Sequence, residues 1–319
     1  MKINLKSGKS MSPFVRRLIF VVVVFGFFAG LNPAFANYAS ILSIVQGITF
    51  VGIASIFLVL LITSGEFDIS IGATSALSAL TSAILVTEKG YSIPIALVMS
   101  LAAGTLVGLI NGLVVIYGRV PSFIATIAML FMCKSLATYI SEGKGIANFP
   151  DLYDGFKQSL FGQYFSILVF IFLIFVGEFI LNRTNFGKVI AAVGSNPEAA
   201  RTAGINTNRV KLLLFMATGC GAALAGFLSL LHFSSAWFTL GSGWELLAIA
   251  GMVIGGTSLF GGRGTVTGLF LGLLLMQVVA SGMVASHIDP WWQTVITGVI
   301  VLVSLSVDMK RKKVKPDAT

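Results

Sequence analysis

Apolar residues fill most of the chain in long runs, which short polar or glycine-rich stretches separate. Each run approaches the roughly 20 residues that a helix needs to cross a bilayer. Ten segments can be delimited, approximately at residues 18–36, 39–63, 69–87, 93–116, 121–140, 164–181, 212–231, 244–260, 264–284 and 291–308. The pattern predicts an all-α, polytopic membrane protein with about ten transmembrane helices.

The composition agrees with this prediction. The chain has 319 residues, of which 56% are hydrophobic and 10% are charged, whereas a soluble domain typically carries about 25% charged residues. Its 35 glycines also fit, because small residues allow membrane helices to approach closely.

The net charge of +9 comes mainly from basic residues that border the apolar runs. Five lie in the N-terminal tail, five in a central loop and five in the C-terminal tail, and Arg119 and Arg263 fall on the same side. That side holds 17 basic residues, against three in the loops on the other side. Because cytoplasmic loops carry the excess of Lys and Arg, both termini are predicted to be cytoplasmic. Nucleic acid is not a predicted partner.

The first segment also fits a second interpretation. A basic flank, an apolar stretch and the small-x-small site Ala34-Phe35-Ala36 are typical of a cleaved signal peptide. Cleavage would leave nine helices in the same orientation. Whether residues 1–36 are retained stays open.

Glycines at a spacing of four mark packing faces on two segments. Gly104, Gly108 and Gly112 share one face of the fourth segment, and Gly268 and Gly272 share one face of the ninth. These two segments would cross the membrane in opposite senses. Such an arrangement predicts an inverted repeat of five helices, as many transporters have.

The longest cytoplasmic connection covers residues 182–211, far more than a helix–helix connection needs. Within it we predict a short helix at residues 197–202, with Asn196 as its N-cap and Pro197 at the first helical position. Gly204 then ends the helix. On the opposite side, the loop 142–163 is either a solvated connection or a docking surface for an external partner.

Signals of an enzyme are weak. The stretch "GKS" at residues 8–10 lacks the upstream glycine of a phosphate-binding loop. His232 and His287 do not have metal-ligand spacing, and Cys133 and Cys220 lie inside apolar segments as small fillers. No catalytic, metal-binding or cofactor-binding residue is predicted.

Four stretches nevertheless resemble one family. Glu198-Ala199-Ala200, followed after three residues by Gly204, resembles the coupling loop of ATP-binding cassette (ABC) importers. "GEFDISIG", "NGLVVIYGRVPSFIATIAML" and "WELLAIAGMVIGGTSLFGGRGTVTG" resemble motifs of the membrane permease subunits of ribose/xylose-type sugar importers. The resemblance covers roughly residues 65–282, with the motifs in order.

This resemblance implies a single transmembrane permease domain over residues 1–319, with a cytoplasmic tail 1–17, a coupling loop 182–211 and a basic tail 309–319. It further implies the bacterial cytoplasmic membrane, a second permease copy or paralogue (a homodimer or heterodimer), a separate cytoplasmic ATPase and an extracytoplasmic solute-binding protein. Glu198, Ala199, Ala200 and Gly204 would couple the permease to the ATPase.

The implied cargo is a small polar solute, first of all a monosaccharide. Nucleosides, branched-chain amino acids and sugar-derived signals remain alternatives within the same class of transporter. A self-contained secondary transporter is a further alternative, which the long coupling loop disfavours. The sequence departs from the family pattern at five positions, so that the solute can differ from ribose itself. These positions are Glu66, Phe67, Lys134, Leu247 and Gly251.

Polar residues in the membrane segments are candidates for the pathway or its gates, because such groups face protein or water rather than lipid. Asp68 is expected chiefly to cap the third helix by accepting bonds from the amides that begin it, with direct contact to solute as the alternative. Asp68 and Glu245 are expected to fix helix starts at the inner and outer ends of one pathway. The candidates are Asp68, Ser70, Asn111, Thr126, Glu245, Thr257 and Gln277.

Overall fold

A computed structural model describes residues 11–147, 159–289, 291–292, 295–296, 298–299 and 302. Within these residues the fold is all-α, as predicted, apart from an isolated bridge between Ile146 and Ala236. The delimited elements are α1 (Pro13–Leu31), a 3₁₀ turn (Pro33–Ala36), α2 (Tyr38–Thr63), α3 (Ile71–Thr87), α4 (Ile93–Ile116), α5 (Ser122–Ile140), α6 (Leu160–Arg183), α7 (Asn185–Ser195), α8 (Pro197–Thr202), α9 (Thr207–Phe233), α10 (Trp244–Ile254) and α11 (Val266–Ala285).

Seven helices in the described part of the chain are long and apolar enough to cross a membrane, namely α1, α2, α4, α5, α6, α9 and α11. The apolar helices α3 and α10 are shorter, with 17 and 11 residues. Most of the predicted tenth segment, residues 291–308, lies outside the described residues. So do residues 148–158 of the loop 142–163 and the C-terminal tail.

Several helix bounds differ from the sequence prediction: α1 covers Pro13–Leu31 rather than residues 18–36, and α9 begins at Thr207 rather than at residue 212. The predicted segment 244–260 ends as a helix at Ile254, because Gly255 and Gly256 begin a tight turn in which Gly256 has a φ of +84°. The coupling loop also contains a helix that the sequence did not predict, α7, whose side chains Ile190 and Val193 are buried.

The central helices α2 and α9 form the core, and α4 packs on α9 through glycines. A Cβ atom on Gly104 would lie 2.4 Å from the carbonyl oxygen of Gly219, and one on Gly108 would lie 2.2 Å from that of Phe215. Any side chain larger than hydrogen at these positions would separate the two helices. The predicted packing face of α4 is thereby confirmed.

Helix α3 begins inside the bundle. The hydroxyl of Ser75 donates to the carbonyl of Ala222 at 2.7 Å. Ala222 lies about 22 Å along the helix axis from the first residue of α9, at 1.5 Å per residue. Since Ile71 precedes Ser75 by about one turn, α3 starts about 16 Å beyond the first residue of α9. The chain covers this depth in the non-helical stretch that follows α2.

Helix α10 also begins inside the bundle, but it runs in the opposite direction. A Cβ atom on Gly272 of α11 would lie 2.0 Å from the carbonyl oxygen of Gly251. Counting along both helices from this contact places Trp244, the first residue of α10, about 20 Å from the start of α11. The second predicted glycine face is confirmed by the same contact.

The starts of α3 and α10 meet. A Cβ atom on Gly72, the second residue of α3, would lie 2.1 Å from the carbonyl oxygen of Gly241, which immediately precedes α10. Two short helices therefore point their N-terminal ends at each other within the bundle.

Helix α11 is fixed at its start by a residue of α6. The Glu178 carboxylate accepts the amide protons of Val266 and Thr267, each at 2.8 Å. A carboxylate at this place satisfies amides that have no partner within the helix and suits the helix dipole.

Candidate functional site

The candidate site is centred on the extended segment, residues 65–70, which connects α2 to α3. Gly65 turns the chain with a φ of +88°. The amides of Phe67 and Ile69 then donate to the hydroxyls of Ser122 and Thr126, each at 3.1 Å. Alternate residues of an extended chain face the same way, and residues four apart share one face of a helix. Two backbone amides of the segment are thus held by two hydroxyl side chains on one face of α5.

Asp68 lies in this segment and is 3% exposed. Its Oδ1 accepts from the amide of Ser70 at 2.8 Å and from the Ser70 hydroxyl at 2.6 Å. The side-chain amide of Asn111 donates to Asp68 Oδ2 at 3.3 Å and to Ser70 Oγ at 3.1 Å. The carboxylate therefore holds Ser70, which immediately precedes α3, and connects it to α4. Among the described residues, Asp68 accepts from no amide of α3 itself, so that the predicted capping of the helix is replaced by a bond to the residue before it.

A second carboxylate of the extended segment faces α9. Lys211 Nζ lies 2.5 Å from Glu66 Oε1, and the two side chains are 18% and 13% exposed. Asp68 and Glu66 are thus held by different elements, Asp68 by α4 and Glu66 by the first turns of α9.

Glu245 lies in the first turn of α10 and is half-buried. Its Oε2 would be 3.2 Å from a Cβ atom on Gly72, the second residue of α3. A carboxylate between two helix N-termini offsets their positive dipole ends. Asp68 and Glu245 were predicted at opposite ends of a pathway. The structure instead brings their helix starts together, because residues 66–69 carry the chain into the bundle before α3 begins.

The predicted coupling helix is α8. Asn196 caps it by accepting the amides of Glu198 and Ala199 at 3.1 and 3.0 Å, as predicted. Glu198, Ala199 and Gly204 are exposed, whereas Ala200 is buried and anchors the helix. Gly204 ends it with a φ of +83°, and a Cβ atom there would meet nothing within 4 Å.

Known proteins resemble this chain over nearly its full length. Residues 40–305 match the family described as branched-chain amino acid transport system / permease component. The chain belongs to this family. It is therefore a permease component of a transport system rather than an enzyme, and a multi-pass protein of the inner membrane.

Individual relatives of the permease are importer components. The ribose import permease protein RbsC of Escherichia coli (strain K12) is 29% identical, over 93% of this chain and 94% of its own. The galactose/methyl galactoside import permease protein MglC of Haemophilus influenzae is 33% identical, over 95% and 97%. The autoinducer 2 import system permease protein LsrC of Enterobacter sp. (strain 638) is 31% identical, over 90% and 84%. These relatives confirm the resemblance that the four motifs indicate. No solved structure matches the chain.

Two predicted site residues of the permease, Thr257 and Gln277, lie outside the hydrogen-bonded group around Asp68. Thr257 accepts the amide of Thr265 at 3.2 Å and so closes the turn between α10 and α11. Gln277 packs against Gly47 of α2 and donates to Ser281 at 3.2 Å. Among the described residues, no hydrogen bond connects either of them to Asp68, Ser70, Asn111 or Thr126.

Three residues of the site were missed by the sequence prediction. Ser122 lies one turn before Thr126, and this spacing of two hydroxyl side chains is a signal that could have revealed it. The sequence analysis noted Glu66 as a departure from the family pattern and counted Lys211 among the basic residues of the central loop, without connecting the two. A carboxylate within an apolar stretch calls for a partner, but nothing in the sequence identifies Lys211 as that partner.

Proposed function

We propose that the permease forms half of the translocation pathway of an ATP-driven, binding-protein-dependent importer, and that its cargo is a monosaccharide. The observation that carries this proposal is the full-length similarity to permeases that are named for ribose and for galactose import. The ABC-type coupling sequence in α8 supports the same mechanism.

A second cargo class is a sugar-derived signal or another small polar solute. It is favoured by the relative that is named for autoinducer 2 import, which is as similar to this chain as the sugar permeases are. The family description also includes branched-chain amino acids. A nucleoside fits the same transporter class.

The proposed topology has ten membrane helices, both termini in the cytoplasm and an inverted repeat of five helices. The two short helices α3 and α10 support the repeat. They correspond to the third and eighth predicted segments, and each is the third segment of its half. Half-helices whose N-termini meet in the interior are common at the repeat interface of transporters, near the substrate site.

In the proposed mechanism, α8 enters a cleft of a separate cytoplasmic ATPase subunit. ATP binding closes the ATPase dimer and displaces α8, and the permease pair then opens its pathway alternately to the two sides. A second permease copy or paralogue completes the pathway, and an extracytoplasmic binding protein delivers the solute.

The pathway residues are proposed to be those at the two helix starts. Asp68, Ser70, Asn111 and Thr126 fix the extended segment and the start of α3, and Glu245 lies at the start of α10. The half-buried carboxylate of Glu245 at this place suits hydrogen bonding to the hydroxyls of a sugar.

The test is reconstitution. The permease is purified from its native membrane with its associated subunits and placed in liposomes, and uptake of labelled ribose, galactose, leucine and adenosine is measured with and without ATP. ATP-dependent uptake of a sugar supports the proposal. ATP-dependent uptake of leucine or adenosine alone would correct the cargo, and uptake driven by an ion gradient without an ATPase subunit would refute the mechanism.

A further inference from the structure

The ion pair between Glu66 and Lys211 connects two parts of the permease that are far apart in sequence, residues 65–70 and the start of α9. The Nζ–Oε1 distance is 2.5 Å and less than a fifth of either side chain is exposed. Such a pair is strongly oriented and weakly screened, whereas an exposed pair contributes little. Its removal would leave one charge partly buried without a partner.

On the α9 side, hydrogen bonds connect the start of α9, and with it Lys211, to α8. The guanidinium Nε of Arg201 in α8 donates to the hydroxyl of Thr207, the first residue of α9, at 2.9 Å. The amide of Ile205 donates to the carbonyl of Ala200 at 3.0 Å. Lys211 lies one helical turn after Thr207. Helix α8 and the first turns of α9 are therefore joined without a flexible linker.

On the other side, Glu66 belongs to the extended segment. Its neighbours Phe67 and Ile69 are hydrogen-bonded to α5, and Asp68 and Ser70 to Asn111 of α4. The Glu66 side chain is thus the charged connection from this segment to α9. The segment ends at the start of α3, which meets α10 through Gly72 and Gly241.

From this geometry we infer that Glu66 and Lys211 are positioning residues, which transmit displacement of α8 to the extended segment and so to the meeting point of α3 and α10. The inference rests on the proposed function, because it takes α8 to be the part that the ATPase moves. It assigns to the pair the transfer of motion, and not contact with the solute or the nucleotide.

A charge-reversal series tests this role in the reconstituted complex with its ATPase and binding protein. The variants are Glu66→Lys, Lys211→Glu and the double exchange, and the readout is the ratio of solute imported to ATP hydrolysed. Each single variant should lower this ratio by about tenfold, within the range of typical coupling energies, and the double exchange should restore most of it. Glu66→Gln and Lys211→Met serve as milder variants should the reversed ones fail to fold.

The matched control is the exposed carboxylate of Glu88 at the C-terminal end of α3, which lies outside the loop 142–163. Reversal of its charge in Glu88→Lys should leave the ratio unchanged. A ratio that stays at the wild-type value in the Glu66 and Lys211 variants, even with a lowered melting temperature, would show a merely structural pair and overturn the inference. A wild-type complex without ATP-dependent uptake would instead refute the proposed function.

Discussion

Asn111 of α4 donates to the carboxylate of Asp68 at 3.3 Å, across a separation of 43 residues. The same side-chain amide donates to the hydroxyl of Ser70 at 3.1 Å, so that one asparagine holds two polar side chains, two positions apart, before α3. All three side chains are buried. In such surroundings a donor without an acceptor costs about 1–3 kcal/mol, and the function of this group can therefore be tested by substitution.

Substitution of Asp68 separates hydrogen bonding from charge. Asp68→Asn keeps an oxygen that can accept from Ser70 and should retain partial uptake. Asp68→Leu leaves the amide and hydroxyl of Ser70 and the amide of Asn111 without this acceptor, and should abolish uptake or reduce the amount of folded protein. The measurements are solute uptake and the melting temperature of the purified permease. Equal, near-normal uptake by both variants would exclude a role for this carboxylate.

Substitution of Gly204 tests the docking of α8. Gly204→Val removes the residue that adopts a φ of +83° without strain, and we expect it to reduce uptake while ATP hydrolysis and membrane insertion persist. Gly90→Val is a matched control, because Gly90 has a φ of +67° and equally open surroundings in the loop between α3 and α4. Normal uptake by a stable Gly204→Val variant would remove α8 from the mechanism.

Neutralisation of Glu245 tests the meeting point of the two short helices. Glu245→Gln keeps the shape of the side chain but removes the charge that faces the start of α3. The expected loss of stability is about 0.3–1 kcal/mol, the typical range for a charge at a helix terminus, and uptake should decrease as well. Glu88→Gln, at the exposed C-terminal end of α3, is the control. Unchanged melting and uptake in Glu245→Gln would contradict the electrostatic role.

Enlargement of Gly108 tests the packing of α4 on α9. The added methyl group in Gly108→Ala would overlap the Phe215 carbonyl oxygen, so that the helices must separate at a cost of about 1–3 kcal/mol. In Gly30→Ala the same change meets nothing within 4 Å and should be neutral or slightly stabilising. The measurement is the melting temperature of each variant in the same detergent. Equal melting temperatures for the two variants would contradict the close approach of α4 to α9 at Gly108.

The orientation is tested by thiol labelling of intact cells. In a variant without Cys133 and Cys220, a cysteine at position 144 should react with an impermeant reagent added outside. A cysteine at position 188, in α7, should react after the membrane is permeabilised and not before. Labelling at position 188 in intact cells would reverse the proposed topology and place α8 on the wrong side for an ATPase.

The sequence by itself determined the class of protein, most helix bounds and the presence of the short helix α8. Apolar runs of membrane-spanning length carry their signal locally, and so do the cap at Asn196 and the stop at Gly204, because the bonds involved connect residues two or three positions apart. Glycine spacing likewise predicted the packing faces of α4 and α11, since a helical face follows from period alone.

The tertiary structure decided what no local pattern encodes. It pairs Glu66 with Lys211, 145 residues apart, and brings the start of α3 against that of α10, where the sequence predicted opposite ends. The physical reason is that this segment obtains its distant hydrogen-bond partners from three helices: the amides of Phe67 and Ile69 bond to α5, Asp68 to α4 and Glu66 to α9. A non-helical chain within the membrane is stable only where protein groups surround it, because lipid cannot form hydrogen bonds with its amides. The sequence does not show which helices supply these partners.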